Sequence, residues 1–156
     1  MVKPYFGKLL SAVGTLAQYT CITHCVFEYV GDFIVCTGPS MEPTIYSNDI
    51  LFTEHITPRL LKLKKGDIVI AKCPSNPRQH ICKRIKAVEG EMVRRGFTTY
   101  IIPEGHIWLE GDNSSNSADS RQYGPVPQGL VRARAICKVW PPHDITLLTT
   151  KCVNPD

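Results

Sequence analysis

No two of the seven cysteines in this sequence are spaced as C-x-x-C, and no His/Cys cluster has the spacing of zinc ligands. A metal centre is therefore not expected, and nothing in the pattern asks for a cofactor. The odd count leaves at least one thiol unpaired within the chain. Cysteines inside apolar runs, such as Cys82 after Ile81 and Cys137 after Ile136, read as small buried hydrophobes. Basic residues interleaved with aromatics are missing too: the net charge of +4 is scattered over the residues after Asp32, which fits solvated surface and gives no reason to expect a nucleic-acid partner. There is no internal repeat and no low-complexity segment. Strongly hydrophobic runs are lacking as well, with one marginal exception. The 19 residues Leu9 to Phe27 carry no formal charge, and as a helix they would span about 30 Å, the thickness of a bilayer core.

That stretch is interrupted by Ser11, Gly14, Thr15 and Gln18 at helical spacing along one side. Three arrangements suit such a stripe: a transmembrane anchor, spanning about residues 9–30, whose polar side packs on another helix; an amphipathic helix lying on the membrane; or a helix docked on the domain. A cleaved secretory signal is disfavoured, because no small-x-small cleavage pattern clearly follows. With Lys3 and Lys8 retained on one side of a membrane, the rest of the chain would face the other.

With 156 residues, 43% of them hydrophobic, the chain has enough for one compact domain and a short extension. The 12 prolines and 11 glycines separate short apolar runs, which predicts a mainly β domain over 33–156 after an N-terminal helical segment over 1–32. Strands are expected at Phe33–Cys36, Asp67–Ala71, Ile81–Val88, His106–Glu110 and Val131–Trp140. Cys73–Arg78, with two prolines, is expected to be a loop joining the second and third of these as a long-loop hairpin.

A serine hydroxyl is a weak nucleophile at neutral pH and needs a base beside it. Ser40 occupies the turn Gly38-Pro39-Ser40 at the end of the first expected strand. In the third expected strand, alternation puts Ile81, Lys83, Ile85 and Ala87 on one face and Cys82, Arg84, Lys86 and Val88 on the other, so Lys83 falls among apolar neighbours. Burial disfavours an ammonium, and a depression of about 3 units from about 10.4 corresponds to roughly 4 kcal/mol. Taken singly, a turn serine is usually only a turn residue, and a strand lysine usually reaches out to water.

Three segments change this when read in order: Thr37-Gly38-Pro39-Ser40-Met41-Glu42-Pro43-Thr44; Gly66-Asp67-Ile68-Val69 followed by Lys83-Arg84-Ile85; and Gly111-Asp112-Asn113-Ser114-Ser115-Asn116-Ser117-Ala118-Asp119-Ser120-Arg121. From about Cys36 to Ala135 the chain resembles the type I signal peptidases. Glu28-Tyr29-Val30-Gly31 and the third segment look like the branch of mitochondrial inner membrane proteases, subunit 1. The short region between Lys83 and Gly111 suits that branch, since bacterial relatives often carry an additional β domain there.

The resemblance implies a signal-peptidase-like β-sheet or barrel domain and a Ser/Lys dyad, with Ser40 as nucleophile and Lys83 as general base. It implies that Ser117 orients Lys83, that Asp119 and Arg121 form an ion pair bracing the segment, and that Arg84 and Asp112 form another. Cys36, Met41, Ile45 and Cys82 would line the pocket before the cleaved bond; each is equally a candidate core residue. Gly38 departs from the bacterial pattern, in which a serine there helps bind the oxyanion, so the Ser40 N–H remains as a donor and the second is open. None of His24, His55, His80, His106 or His143 falls in a matched motif, and His80 reads as a loop residue. The expected partners are precursor proteins, the membrane and a related second protease subunit; the expected location is the mitochondrial inner membrane, facing the intermembrane space. A self-cleaving Ser/Lys repressor and a non-catalytic β module binding peptides or membranes are the competing readings. The first would begin with a DNA-binding helix-turn-helix, which Leu9–Phe27 does not resemble, and the joint presence of Ser40, Lys83 and Ser117 argues against the second.

Overall fold

A computed structural model describes residues 3–96 and 98–148 of the chain, so Cys152 lies outside the described residues. Helix α1 (Lys3–Tyr29) comes first, with Pro4 in the first turn, where the N–H that proline lacks would have no helical partner. Its span Gly7–Tyr29, 23 residues of mean hydropathy 1.2, is long and apolar enough to cross a membrane. Every residue from Gly7 to Val30 is exposed, so no part of the described domain covers the helix, contrary to a docked arrangement. The hydroxyls of Thr15 and Thr20 donate to the carbonyls of Ser11 and Leu16, both at 2.9 Å, and so are satisfied within the helix itself.

The rest is mainly β. The strands are β1 (Gly31–Val35), β2 (Ile50–Glu54), β3 (Ile68–Cys73), β4 (Asn76–Ala87), β5 (Met92–Arg95), β6 (Thr98–Ile101), β7 (His106–Glu110), β8 (Val126–Pro127), β9 (Val131–Trp140) and β10 (Thr146–Leu147). Two single-turn helices, α2 (Ile56–Arg59) and α3 (Ser120–Tyr123), join them. An antiparallel sheet runs in the order β1-β2-β9-β3-β4-β7-β8, with β10 beside β9, while β5 and β6 form a separate hairpin in the region between Lys83 and Gly111.

Two expectations are corrected. Cys73–Arg78 is not a long loop: β3 turns tightly into β4, with Cys73 opposite Asn76 and Lys72 opposite His80. The register shift between those pairs takes up Pro77, which has no N–H for a regular ladder, so the strand continues past the proline. His80 accordingly lies in β4 and not in a loop. The second correction concerns β2, β5, β6, β8 and β10, none of which was foreseen. Strand β2 turns Leu51 and Thr53 inward and leaves the apolar Phe52 only half-buried, which blurs its alternation.

Strand β3 occupies the centre, and its run Ile68-Val69-Ile70-Ala71 is buried on both faces, as a continuous apolar run implies. On one side Ile68 and Ile70 join Cys36, Met41, Ile45 and Leu51. On the other, Val69 and Ala71 pack with Ile85, Ile107 and Leu109.

Candidate active site

Ser40 follows β1 in a turn opened by Gly38, whose φ of +95° lies in the region that favours glycine. The ends of this loop are held together, with the Cys36 N–H donating to the Asp49 carbonyl and the Asn48 N–H to the Cys36 carbonyl, both at 2.8 Å. The segment after β7 holds the tip. Asn113 donates from its backbone N–H to the Ser40 carbonyl and from Nδ2 to the Pro39 carbonyl, each at 3.1 Å. Gly111 packs so closely that a Cβ there would stand 2.4 Å from the Ser40 carbonyl and 2.3 Å from Ser117 Oγ, so only glycine allows the contact. Asp112 accepts from Thr44 Oγ1 at 2.7 Å in the Ser40 loop and from Arg84 Nη2 at 2.6 Å in β4. One carboxylate thus ties the serine loop to the lysine strand. Burial pushes the Asp112 carboxyl up, but the Arg84 and Thr44 hydrogen bonds outweigh it and hold the group below the usual carboxylate range.

Lys83 projects from β4 between Cys82 and Arg84, on the same face as the buried Ile85 and Ala87, and is itself only 4% exposed. The chain buries a second lysine, Lys138, on β9, which pairs with Asp49 at 3.3 Å and with Asp144. Lys83 takes part in none of the ion pairs formed among the described residues. Burial lowers its pKa below that of an ordinary lysine, only partly opposed by the charge of Asp119. For Lys138 the desolvation is overcome by its two carboxylates, and the pKa is raised. Of the two lysines buried among the described residues, only Lys83 is brought toward its neutral, proton-accepting form.

Asp119 is wholly buried and accepts from five donors: the Gly111 N–H at 3.0 Å, Ser117 Oγ at 2.7 Å, and the Arg121 N–H, Nε and Nη2 at 3.2, 2.8 and 2.7 Å. Burial pushes its carboxyl up, but these donors prevail and hold it at about 2. The Ser117 hydroxyl therefore spends its proton on Asp119, leaving its oxygen lone pairs free to accept. Asp119 also caps α3 through the Arg121 N–H.

A cleft of about 200 Å³ gathers Ser40 and Lys83 with Cys36, Met41 and Ile45 from the serine loop and Cys82 from the lysine strand. All four also pack in or against the buried cluster on that side, so the core supplies the pocket wall. Gln79, which the sequence did not single out, lines the same cleft with His80, which was read as a loop residue, and Ala118, which was quoted in the third motif without a role. Asn113, Gly111 and Thr44 were quoted in the motifs but given no part; the glycine beside an Asx pair was the available signal. Among the described residues, no three His, Cys, Asp or Glu side chains come together as metal ligands.

The family described as signal peptidase, peptidase S26, matches residues 9–101 and 94–140. The human protein named mitochondrial inner membrane protease subunit 1 is 47% identical over 95% of this chain and 93% of its own length. A mouse protein named mitochondrial inner membrane protease subunit 2 is 40% identical over 90% of this chain and 79% of its own. Among solved structures, a signal peptidase I from Enterococcus faecalis superposes on 46% of this chain and 95% of that one, with a TM-score of 0.41 and 24% identity.

Proposed function

Since the chain belongs to the signal peptidase family, peptidase S26, and is a membrane serine endopeptidase that processes precursor proteins, we propose that it cleaves its substrates with Ser40 as nucleophile and Lys83 as general base. One observation carries this reading: a buried lysine with no ion-pair partner among the described residues lines the same cleft as a turn serine held by Asn113. Neutral Lys83 takes the proton as Ser40 Oγ attacks the scissile carbonyl, then returns it to the leaving amine. A water activated by the same amine cleaves the ester and regenerates Ser40. The Ser40 N–H is the oxyanion donor within the nucleophile itself. Ser117 turns its lone pairs toward the Lys83 amine and restricts its rotamers, while the Asp119–Arg121 and Arg84–Asp112 pairs brace the two sides. Cys36, Met41, Ile45 and Cys82 receive the side chain before the cleaved bond.

Residues 1–32 form the anchor and 33–156 the peptidase domain. The relatives are named as mitochondrial inner membrane proteases with subunits 1 and 2. On that basis the enzyme sits in the mitochondrial inner membrane with its domain in the intermembrane space, paired with a related subunit on the stripe of Ser11, Gly14, Thr15 and Gln18. The test is cleavage of an authentic precursor by the reconstituted full chain. Ser40→Ala and Lys83→Met should each abolish it, and Ser117→Ala should slow it. Near-normal cleavage by Lys83→Met would remove the dyad even with the family intact.

A further inference from the structure

Two of the pocket residues carry chemistry that peptide hydrolysis does not use. Cys36 follows β1 and Cys82 precedes Lys83 on β4, and the fold packs both cysteines into one buried cluster with Ile70. Both line the Ser40 cleft and the smaller cavity continuing from it past Ile34 and Ile70. Both are free, with no disulfide between them. Their backbones are fixed independently of the thiols, Cys36 by its bonds to Asp49 and Asn48 and Cys82 by its place opposite Ile70.

We propose that Cys36 and Cys82 form a dithiol modification site in the wall of the cleft, which reacts with low-molecular-weight disulfides and closes to an intramolecular disulfide. The two thiols are not equivalent. The Cys82 S–H donates to the Cys36 sulfur and favours its thiolate, which lowers the Cys36 pKa against the opposing effects of burial and the Asp49 charge. Cys82 holds its proton more firmly, because that hydrogen bond, burial and the neighbouring Cys36 charge all favour its protonated form. Cys36 is therefore the attacking group and Cys82 the resolving one.

The Cys36 thiolate attacks one sulfur of the small disulfide, forming a mixed disulfide and expelling one small thiolate. Cys82 then loses its proton to water and attacks the Cys36 sulfur, expelling the second small thiolate. The two protein thiols are oxidised to one disulfide, the small disulfide is reduced to two thiols, and the two protein protons balance the two thiolates. Closing the bond brings the sulfurs from nonbonded contact to about 2.05 Å and redraws the wall beside Lys83. The effect on peptide cleavage rests on the proposed substrate role of the cleft; formation of the bond does not.

The experiment incubates the full chain in lipid vesicles with glutathione and glutathione disulfide at graded ratios, followed by alkylation, peptide mapping and precursor cleavage. A peptide linked through Cys36 and Cys82, about 2 Da lighter than the two reduced peptides together, is expected as the buffer becomes oxidising. The rate should fall about tenfold in parallel and return with a dithiol reductant. In Cys36→Ser and Cys82→Ser, whatever their own rates, the ratio of reduced to oxidised rates should be close to one. In Ser40→Ala the linked peptide should still form, which separates this site from the dyad. Mixed disulfides confined to the exposed Cys21 and Cys25 overturn the proposal, whereas a Cys36–Cys82 link that leaves the rate unchanged upholds the dithiol site and removes the substrate role of the cleft.

Discussion

Burying a lysine costs stability unless its ammonium is paired, and Lys83 accepts that cost where Lys138 does not. Lys83→Met keeps the volume and removes the charge, so it should leave the melting temperature unchanged or raised while abolishing cleavage; a large drop would mean that Lys83 is structural. The pH profile follows from the same group. The rate should rise with pH as the amine loses its proton, with an inflection below the ordinary lysine value of about 10.4, because burial lowers the pKa. An inflection at or above that value would exclude a desolvated base. Asp119 gives the opposite limb in stability. Its carboxyl is held at about 2, below its unfolded value, so its contribution is complete above about pH 4 and is lost as pH falls toward 2. That difference corresponds to roughly 2 kcal/mol, and acid unfolding of Asp119→Asn should show a correspondingly shallower dependence over that window.

Among elements, the junction between α1 and the sheet rests on α2. Arg59 donates to the carbonyls of Glu28 at 2.9 Å and Tyr29 at 3.5 Å, satisfying acceptors at the end of α1, and its guanidinium lies 4.8 Å from the Tyr29 ring centroid. The His55 N–H adds a bond to the Val30 carbonyl at 3.0 Å. These contacts set the angle at which the domain leaves the helix. Arg59→Ala is therefore expected to slow cleavage of membrane-inserted precursors several-fold, with little change for a short soluble peptide. Equal losses on both would place the effect in the cleft. The clamp on the serine loop calls for a complementary result: Asn113→Ala keeps the backbone N–H on the Ser40 carbonyl but frees the Pro39 carbonyl, and should lower kcat on both substrates several-fold.

Over the whole molecule, an exposed helix with a 23-residue span apolar enough to cross a membrane joins a β domain with its cleft. If α1 spans a bilayer, alkaline carbonate should leave the chain in the membrane fraction; release into the soluble fraction would favour a helix lying on the surface. The hydroxyls of Thr15 and Thr20 bond within the helix, so the stripe carries less unsatisfied polarity into lipid than the residues alone suggest. Its small residues remain suited to a close-packed neighbour.

The sequence by itself determined the helix, the mainly β domain and the three ordered motifs, because hydrophobic periodicity and turn residues act locally. Strand alternation was enough to put Lys83 on the face of Ile85 and Ala87. It missed β2, whose inward residues are Leu51 and Thr53, and it began β4 only at Ile81, with Pro77 left in a loop, because the bulge that admits the proline depends on the partner strand. Which buried lysine stays unpaired was decided only by tertiary structure, since Asp49 reaches Lys138 from a distant part of the chain and joins Asp144, six residues on, at its ammonium. The clamp of Asn113 on Ser40 and the contact of Cys36 with Cys82 were settled in the same way. Each joins residues distant in sequence, and chain neighbours alone do not specify a long-range approach.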